Sequence, residues 1–313
     1  MTTARIHHVL IINDRGDALA AYLAARRADL VCRVRTATTL ADGDPNWADA
    51  LVGFATPISL DRSSVRWVHS TGAGVDAFLG TRRWPDGITL TRTTGALGVR
   101  MGEYCVGHAL AVSQRILPFD RDQQAGRWAP VEPTTLRGTT AVIVGTGSVG
   151  SAIAAQFKAL GCRTIGISRS GRTAPSFDQV APVERLADRV QSARWLVLAA
   201  PLTPLTRGLV DATVLGRCRD TVVINVARGG LLDTAALLDA LQSGTVTGAV
   251  LDVFDTEPLA SDSPLWRADG VVVTPHVAGV THVEEAGEAF LDALVHLESG
   301  RRPPSAVDPT RGY

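Results

Sequence analysis

The sequence predicts an α/β protein built on doubly wound parallel sheets, and three observations predict it. Short apolar runs alternate with helix-like stretches along most of the 313 residues, the pattern of repeated βα units with parallel strands. One of these runs, AVIV, enters a glycine-spaced turn that opens directly into a helical pattern. The second half of the chain then supplies six strand candidates with crossovers between most of them, the count of a complete dinucleotide-binding domain.

Taken in order, the first 90 residues give strand candidates at His8–Ile12, Leu30–Arg35, Ala50–Phe54, Val65–His69 and Ile88–Thr91. Stretches such as Leu19–Arg27 read as helices between them. A long, largely apolar segment follows, Met101–Leu117, expected to stop at Pro118. Because it is apolar on more than one face, it is expected to be buried against another domain or subunit. The connection RWAPVEPTTLRG leads to the second series: Ala141–Val144, Arg163–Ile167, Trp195–Ala199, Val222–Val226, Gly248–Asp252 and Val271–Thr274. Val149–Leu160 and Thr234–Gln242 read as helices among them. After Thr281 comes a last helix with Glu284 and Glu285 in its first turn and Gly300 as its stop. Its expected home is the N-terminal unit. The domains are therefore drawn as 1–93 plus 281–313, a substrate domain, with a dinucleotide-binding domain, 94–280, inserted in it. Both are expected to be Rossmann-like.

Composition narrows the function. Basic and acidic residues balance at 31 each, so no net field calls for nucleic acid or an anionic membrane surface. No apolar run is long enough to span a bilayer, and MTTARIHHVLII lacks a cleavage-site pattern. Cys32, Cys105, Cys162 and Cys218 have no paired spacing, which suits a reducing cytoplasm better than a disulfide framework or zinc site.

The stretch AVIVGTGSVGSAIAAQFKALG carries Gly145, Gly147 and Gly150 in the GxGxxG spacing. The first permits a tight turn, the second lets a pyrophosphate approach the backbone, and the third allows close helix–strand packing. With Thr146, Ser148 and Val149 they form the expected phosphate-binding turn. An acid about 20 residues further on would accept the ribose hydroxyls of NAD. This chain instead has Ser168, Arg169, Ser170 and Arg172. Guanidinium groups clamp a 2′-phosphate that a carboxylate would repel, so NADP(H) is favoured, with NAD(H) as the alternative if the arginines are merely solvated.

Three later phrases, INVARGGLLD, LDVFDTEPL and TPHVAG, stand in register with that turn. Together with STGAGVD, MGEYCVGHAL, RWAP and the tail VDPTRGY, they resemble the D-isomer-specific 2-hydroxyacid dehydrogenases, most like the glyoxylate/hydroxypyruvate reductase branch. The resemblance implies that Arg228 holds the substrate's carboxylate and keto oxygen. It implies that His276 is the proton donor and that Glu257 hydrogen-bonds it. These roles suit the chemistry: a keto acid presents a planar carboxylate to a guanidinium fork, and hydride addition builds negative charge on oxygen. By the same resemblance the amides of Ala73 and Gly74 meet the substrate carboxylate. Pro201, Thr206, Val226, Ala227, Asp252, His276, Ala278 and Gly279 fall on the cofactor side, with Asp252 orienting the nicotinamide carboxamide. No metal is expected.

The leading expectation is an NADPH-preferring reductase of small 2-keto acids, such as glyoxylate or hydroxypyruvate. One alternative is NAD-linked oxidation of a larger 2-hydroxy acid. Another, of a different class, is a nucleotide-sensing corepressor-like binding protein. The expected partners are a small 2-keto or 2-hydroxy acid and a second copy of the chain, the homodimer forming through the helix near 101–117, with no nucleic acid or membrane.

Overall fold

The apolar runs become strands because a parallel sheet covered by helices hides both faces of each strand from water. In the computed structural model, residues 5–13, 15–55, 58–80 and 83–313 are described; the first four residues of MTTARIHHVLII lie outside them. The chain divides into two units, one comprising Met1–Ala96 with Thr281–Tyr313, the other Leu97–Val280.

Among the described residues of the first unit, β1 (His8–Ile12), β2 (Val31–Arg35), β3 (Ala50–Gly53), β4 (Trp67–Ser70) and β5 (Thr89–Arg92) form one sheet in the order β2-β1-β3-β4-β5. All four pairings are parallel. β3 and β4 are buried along their whole length, whereas the edge strand β2, VCRVR, carries the arginines. Helix α1 (Gly16–Arg26) covers this sheet together with the last helix of the chain; short helices α2 (Asp44–Trp47) and α3 (Asp76–Leu79) fill connections.

In the second unit, β6 (Thr140–Val144), β7 (Arg163–Ser168), β8 (Gln179–Pro182), β9 (Trp195–Leu198), β10 (Thr221–Asn225), β11 (Val246–Leu251) and β12 (Val271–Val273) make a parallel sheet ordered β12-β11-β10-β9-β6-β7-β8. Its strand count departs from the six expected. β8, QVAP, is a partly exposed edge strand pairing with β7. Its short polar start and terminal proline give it no strand pattern, because an edge strand needs pairing on one side only. The order reverses between β6 and β9, the switch point beyond whose carboxyl ends ligands bind in such sheets. Helices α6 (Ser148–Ala159), α7 (Leu186–Arg189), α8 (Ala212–Leu215) and α9 (Thr234–Ser243) connect the strands.

The segment expected as Met101–Leu117 is two helices, α4 (Leu97–Ser113) and α5 (Ile116–Gln124). The break falls at Arg115, in the left-handed region with φ 55°, and Pro118 sits inside the second helix. The first-turn amides of a helix have no intrahelical partner, so a proline at its third position sacrifices no bond. α4 packs closely on α6: Gly98 faces Ala152, Gly102 faces Gln156, and the Gln156 amide donates to the Val99 carbonyl at 2.8 Å.

The last helix, α10 (Val283–Glu298), belongs to the first unit. It starts on a capping box in which Glu285 accepts from the backbone of His282. It ends as Gly300 and Arg301 donate back to the Leu297 and His296 carbonyls. Phe290 stacks on Trp67 with ring centroids 4.4 Å apart.

Candidate active site

The glycine turn begins where β6 ends. Gly145 has φ 106°, and a Cβ there would stand 2.6 Å from the Ala199 carbonyl oxygen, so both conformation and space demand glycine. A Cβ at Gly150 would lie 1.9 Å from the Gly145 oxygen. Gly147 is different: a Cβ there meets nothing within 4 Å. The protein thus leaves open space at the middle glycine while packing tightly at the other two. Ser148, Val149 and Gly150 begin α6, ahead of the bond from Ser151 N to Gly147 O, and Ser151 Oγ donates to Thr146 O. The first turn of α6 contains no acid, so no carboxylate opposes the dipole at its amino end.

At the end of β7, Ser168 Oγ accepts from the Gly171 amide at 3.1 Å and Ser170 Oγ accepts from the Arg172 amide at 3.4 Å. Each hydroxyl uses an oxygen lone pair to close the turn and keeps its own proton to donate. Arg169 and Arg172 flank that turn. After β9, Thr206 Oγ1 donates to Pro201 O at 2.7 Å and accepts from the Thr203 amide at 2.8 Å, which closes the 201–206 loop on itself.

β10 ends at Asn225, which is wholly buried. Its side chain accepts from the Ala227 amide at 3.1 Å and donates to the Arg228 carbonyl at 2.9 Å, so one amide group shapes the segment Val226–Ala227–Arg228. Arg228 donates through Nη1 to the Ala227 carbonyl at 2.7 Å. Gly229 comes next, where a Cβ would lie 2.0 Å from the Phe254 carbonyl carbon. Only glycine lets the arginine loop run against the loop after β11.

That second loop carries Glu257. Its Oε1 accepts from the Phe254 amide at 2.9 Å, and its Oε2 pairs with His276 Nδ1 at 2.7 Å. Both side chains are a little over one-third exposed, at 36% and 37%. A carboxylate on Nδ1 places the proton there and turns Nε2 outward. His276 also has φ 54°, an uncommon conformation for a residue with a Cβ and one that clusters at functional sites.

Asp252 is 1% exposed. Its Oδ1 accepts from Thr274 Oγ1 at 2.6 Å and the Val277 amide at 2.9 Å, and its Oδ2 accepts from the Ala278 amide at 2.9 Å. The carboxylate expected on the nicotinamide is thus engaged with the His276 loop. Gly279 follows, against Leu97 and Met101 of α4.

The turns at 145–150 and 168–172, Pro201, Thr206, Val226–Arg228, Asp252, Glu257 and His276–Gly279 all follow strands of this one sheet. Ala73 and Gly74 belong to the first unit, in the loop after β4. There the single Ser70 Oγ proton is shared between the Gly72 and Gly74 carbonyls, each 3.0 Å away, and Arg92 donates to the Ala73 carbonyl at 3.3 Å. With three carbonyls drawn inward, the Ala73 and Gly74 amides find no acceptor among the described residues. Asn225, Gly229 and Thr274 had no assigned role in the sequence, although each lies inside a phrase that carried the resemblance. Among the described residues no cluster of His, Cys, Asp or Glu could hold a metal, and no helix is long and apolar enough to cross a membrane.

A doubly wound sheet with a glycine turn opening a helix and a paired imidazole and carboxylate beyond its later strands has the build of a dinucleotide-dependent oxidoreductase. Residues 106–278 match the family described as D-isomer specific 2-hydroxyacid dehydrogenase, NAD binding domain. Glyoxylate/hydroxypyruvate reductase A of Yersinia enterocolitica is 33% identical over 281 residues, covering 87% of this chain and 90% of that protein. A D-isomer specific 2-hydroxyacid dehydrogenase from Xanthobacter autotrophicus Py2, solved with NADPH and MES, superposes with TM-score 0.91 at 31% identity, over 99% of this chain and all of that one. An NADPH-dependent glyoxylate/hydroxypyruvate reductase from Sinorhizobium meliloti, solved with NADP and sulfate, gives TM-score 0.86 at 28% identity, over 98% of this chain and all of that one. The chain belongs to the D-isomer-specific 2-hydroxyacid dehydrogenase family, and is an NAD(P)-dependent oxidoreductase.

Proposed function

We propose that the protein reduces small 2-keto acids such as glyoxylate or hydroxypyruvate to D-2-hydroxy acids, preferring NADPH to NADH, with His276 as proton donor. The observation that carries the reaction is the 2.7 Å His276–Glu257 pair on a residue held at positive φ. The glycine turn fits the cofactor: an open middle glycine and an acid-free helix start suit a pyrophosphate. Two serine hydroxyls with protons to give, beside Arg169 and Arg172, suit a 2′-phosphate. Relatives solved with NADPH or NADP support the same preference.

When bound, the nicotinamide supplies the hydride that the keto carbon accepts. Everything else falls to the chain. Arg228 fixes the substrate carboxylate and stabilises charge developing on the keto oxygen. Glu257 holds the imidazole and stabilises it while charged, and Nε2 delivers the proton to the oxygen. Val226, Ala227, Ala278 and Gly279 wall the nicotinamide side, and Pro201 and Thr206 the adenosine and phosphate side. Asp252 acts there through the loop it holds.

A homodimer through α4 belongs to this proposal. Val99, Leu110, Ile116, Leu117 and Trp128 are exposed, Trp128 to 96%, and exposed large apolar side chains on and after α4 favour a partner. Leu110→Asp should then convert a dimer to a monomer in light scattering. A cytoplasmic location rests on the cysteine argument.

The test follows absorbance of NADPH and NADH separately, each with glyoxylate, hydroxypyruvate, pyruvate and phenylpyruvate. Faster NADPH oxidation with a two- or three-carbon acid is the expected result. NADH preference, or preference for the bulky acid, would defeat the respective half of the proposal.

A further inference from the structure

His276 cannot hold its backbone conformation unaided, since a side chain at positive φ costs on the order of 1–3 kcal/mol unless its surroundings over-determine it. The bonds that do so converge on one residue. His276 N reaches the Asp252 carbonyl at 2.9 Å, and the Val277 and Ala278 amides take the two Asp252 carboxylate oxygens. The carboxylate is held in turn by Thr274 Oγ1 at 2.6 Å. A threonine hydroxyl has one proton, and here it goes to Asp252, leaving the oxygen to accept. The group that donates to it comes from another element: Tyr104 Oη on α4, at 2.6 Å.

We propose that Tyr104 is a positioning residue for His276, acting through Thr274 and Asp252. Its phenol is suited to the task. Burial, the largest influence, pushes its pKa well above the usual tyrosine value, so the proton that it donates stays in place at working pH. The ring is packed against that of His108, centroids 4.4 Å apart, and burial lowers the pKa of that imidazole. A neutral ring therefore braces the phenol. The chain of bonds runs from helix to hydroxyl to carboxylate to the amides after His276, all within the second unit. Tyr104 makes its contacts with Thr274 and His108, not with His276 itself. Its removal should loosen the angle at which Nε2 is presented and spare binding.

This inference rests on the reading of His276 as proton donor, and the experiment separates the two. In Tyr104→Phe, kcat should fall about tenfold, the loss expected when one strong hydrogen bond to a positioned network goes. KM for the keto acid and Kd for NADPH should stay within about twofold, since the groups that bind them are untouched. Thr274→Val should match that loss and Thr274→Ser should recover most of it. Amide hydrogen exchange at Val277 and Ala278 should quicken in Tyr104→Phe. If exchange quickens while His276→Ala keeps near-normal turnover, the network stands and the proton-donor reading is lost. If exchange and kcat are both unchanged in Tyr104→Phe, or if kcat and NADPH affinity fall together, the positioning role is overturned.

Discussion

Each unit has a parallel sheet entered by a strand, a turn and a helix, yet the two turns are built for different ends. Both keep a glycine where helix meets strand: a Cβ at Gly16 would stand 2.5 Å from Val34, and one at Gly150 would stand 1.9 Å from the Gly145 oxygen. The resemblance stops there. In the first turn Asn13 uses its side chain and carbonyl to take the Arg15 and Gly16 amides, and α1 carries Asp17 in its first turn. In the second, the middle glycine is open and no acid follows. The third glycine is thus an architectural requirement of tight βα packing. Anion binding depends on amides left unspent. The two sheets also treat histidine in opposite ways. His69 on β4 is fully buried between the hydroxyls of Thr91 and Thr93, whereas His276 is partly exposed on a carboxylate.

The sharpest test of that contrast is His276→Ala, for which kcat should drop by about 10³-fold while NADPH titration changes little. A near-normal rate would make the two histidines equivalent after all. Next comes Gly150→Ala: forcing a methyl against a backbone oxygen should cost about 3 kcal/mol, read as a lower urea midpoint. An unchanged midpoint would mean that the packing glycine is dispensable. Burial holds His69 at about 3, against 6.5 when unfolded. The unfolded chain therefore takes up a proton first as pH falls. The sealed imidazole's contribution, complete above pH 6.5, is lost progressively between those values, at about 1.4 kcal/mol per pH unit. Comparing wild type with His69→Asn by urea unfolding at several pH values should isolate that slope, and parallel curves would argue against it. Smallest is Arg169→Asp, expected to weaken NADPH binding about tenfold more than NADH; equal losses for both cofactors would remove the phosphate clamp.

Much of this was legible in the sequence because it is local. The glycine turn is six consecutive residues, and the strands are runs of Val, Ile and Leu whose burial is written in their composition. Arg228, Glu257 and His276 were singled out through phrases in register, not through any property visible at one position. Pro118 misled because its effect depends on where a helix starts, and β8 was hidden because an edge strand needs little apolar pattern. Tyr104 and Thr274 lie 170 residues apart. No spacing rule links two hydroxyls at that distance, and their conjunction exists only after the sheet has formed. Asp252 was read as orienting the nicotinamide carboxamide, and nothing in LDVFD tells that its carboxylate also accepts three hydrogen bonds from the loop that carries His276.

The stacking of Phe290 on Trp67 has a consequence for biosynthesis. The strands of the first sheet are made before those of the inserted unit, but their core includes Ala286, Phe290, Ala293 and Leu294 from α10. The inserted unit, 97–280, contains every strand of its own sheet. The sheet made first must therefore wait for α10 to complete the cover of one face, while the inserted unit, made between them, can finish ahead of it.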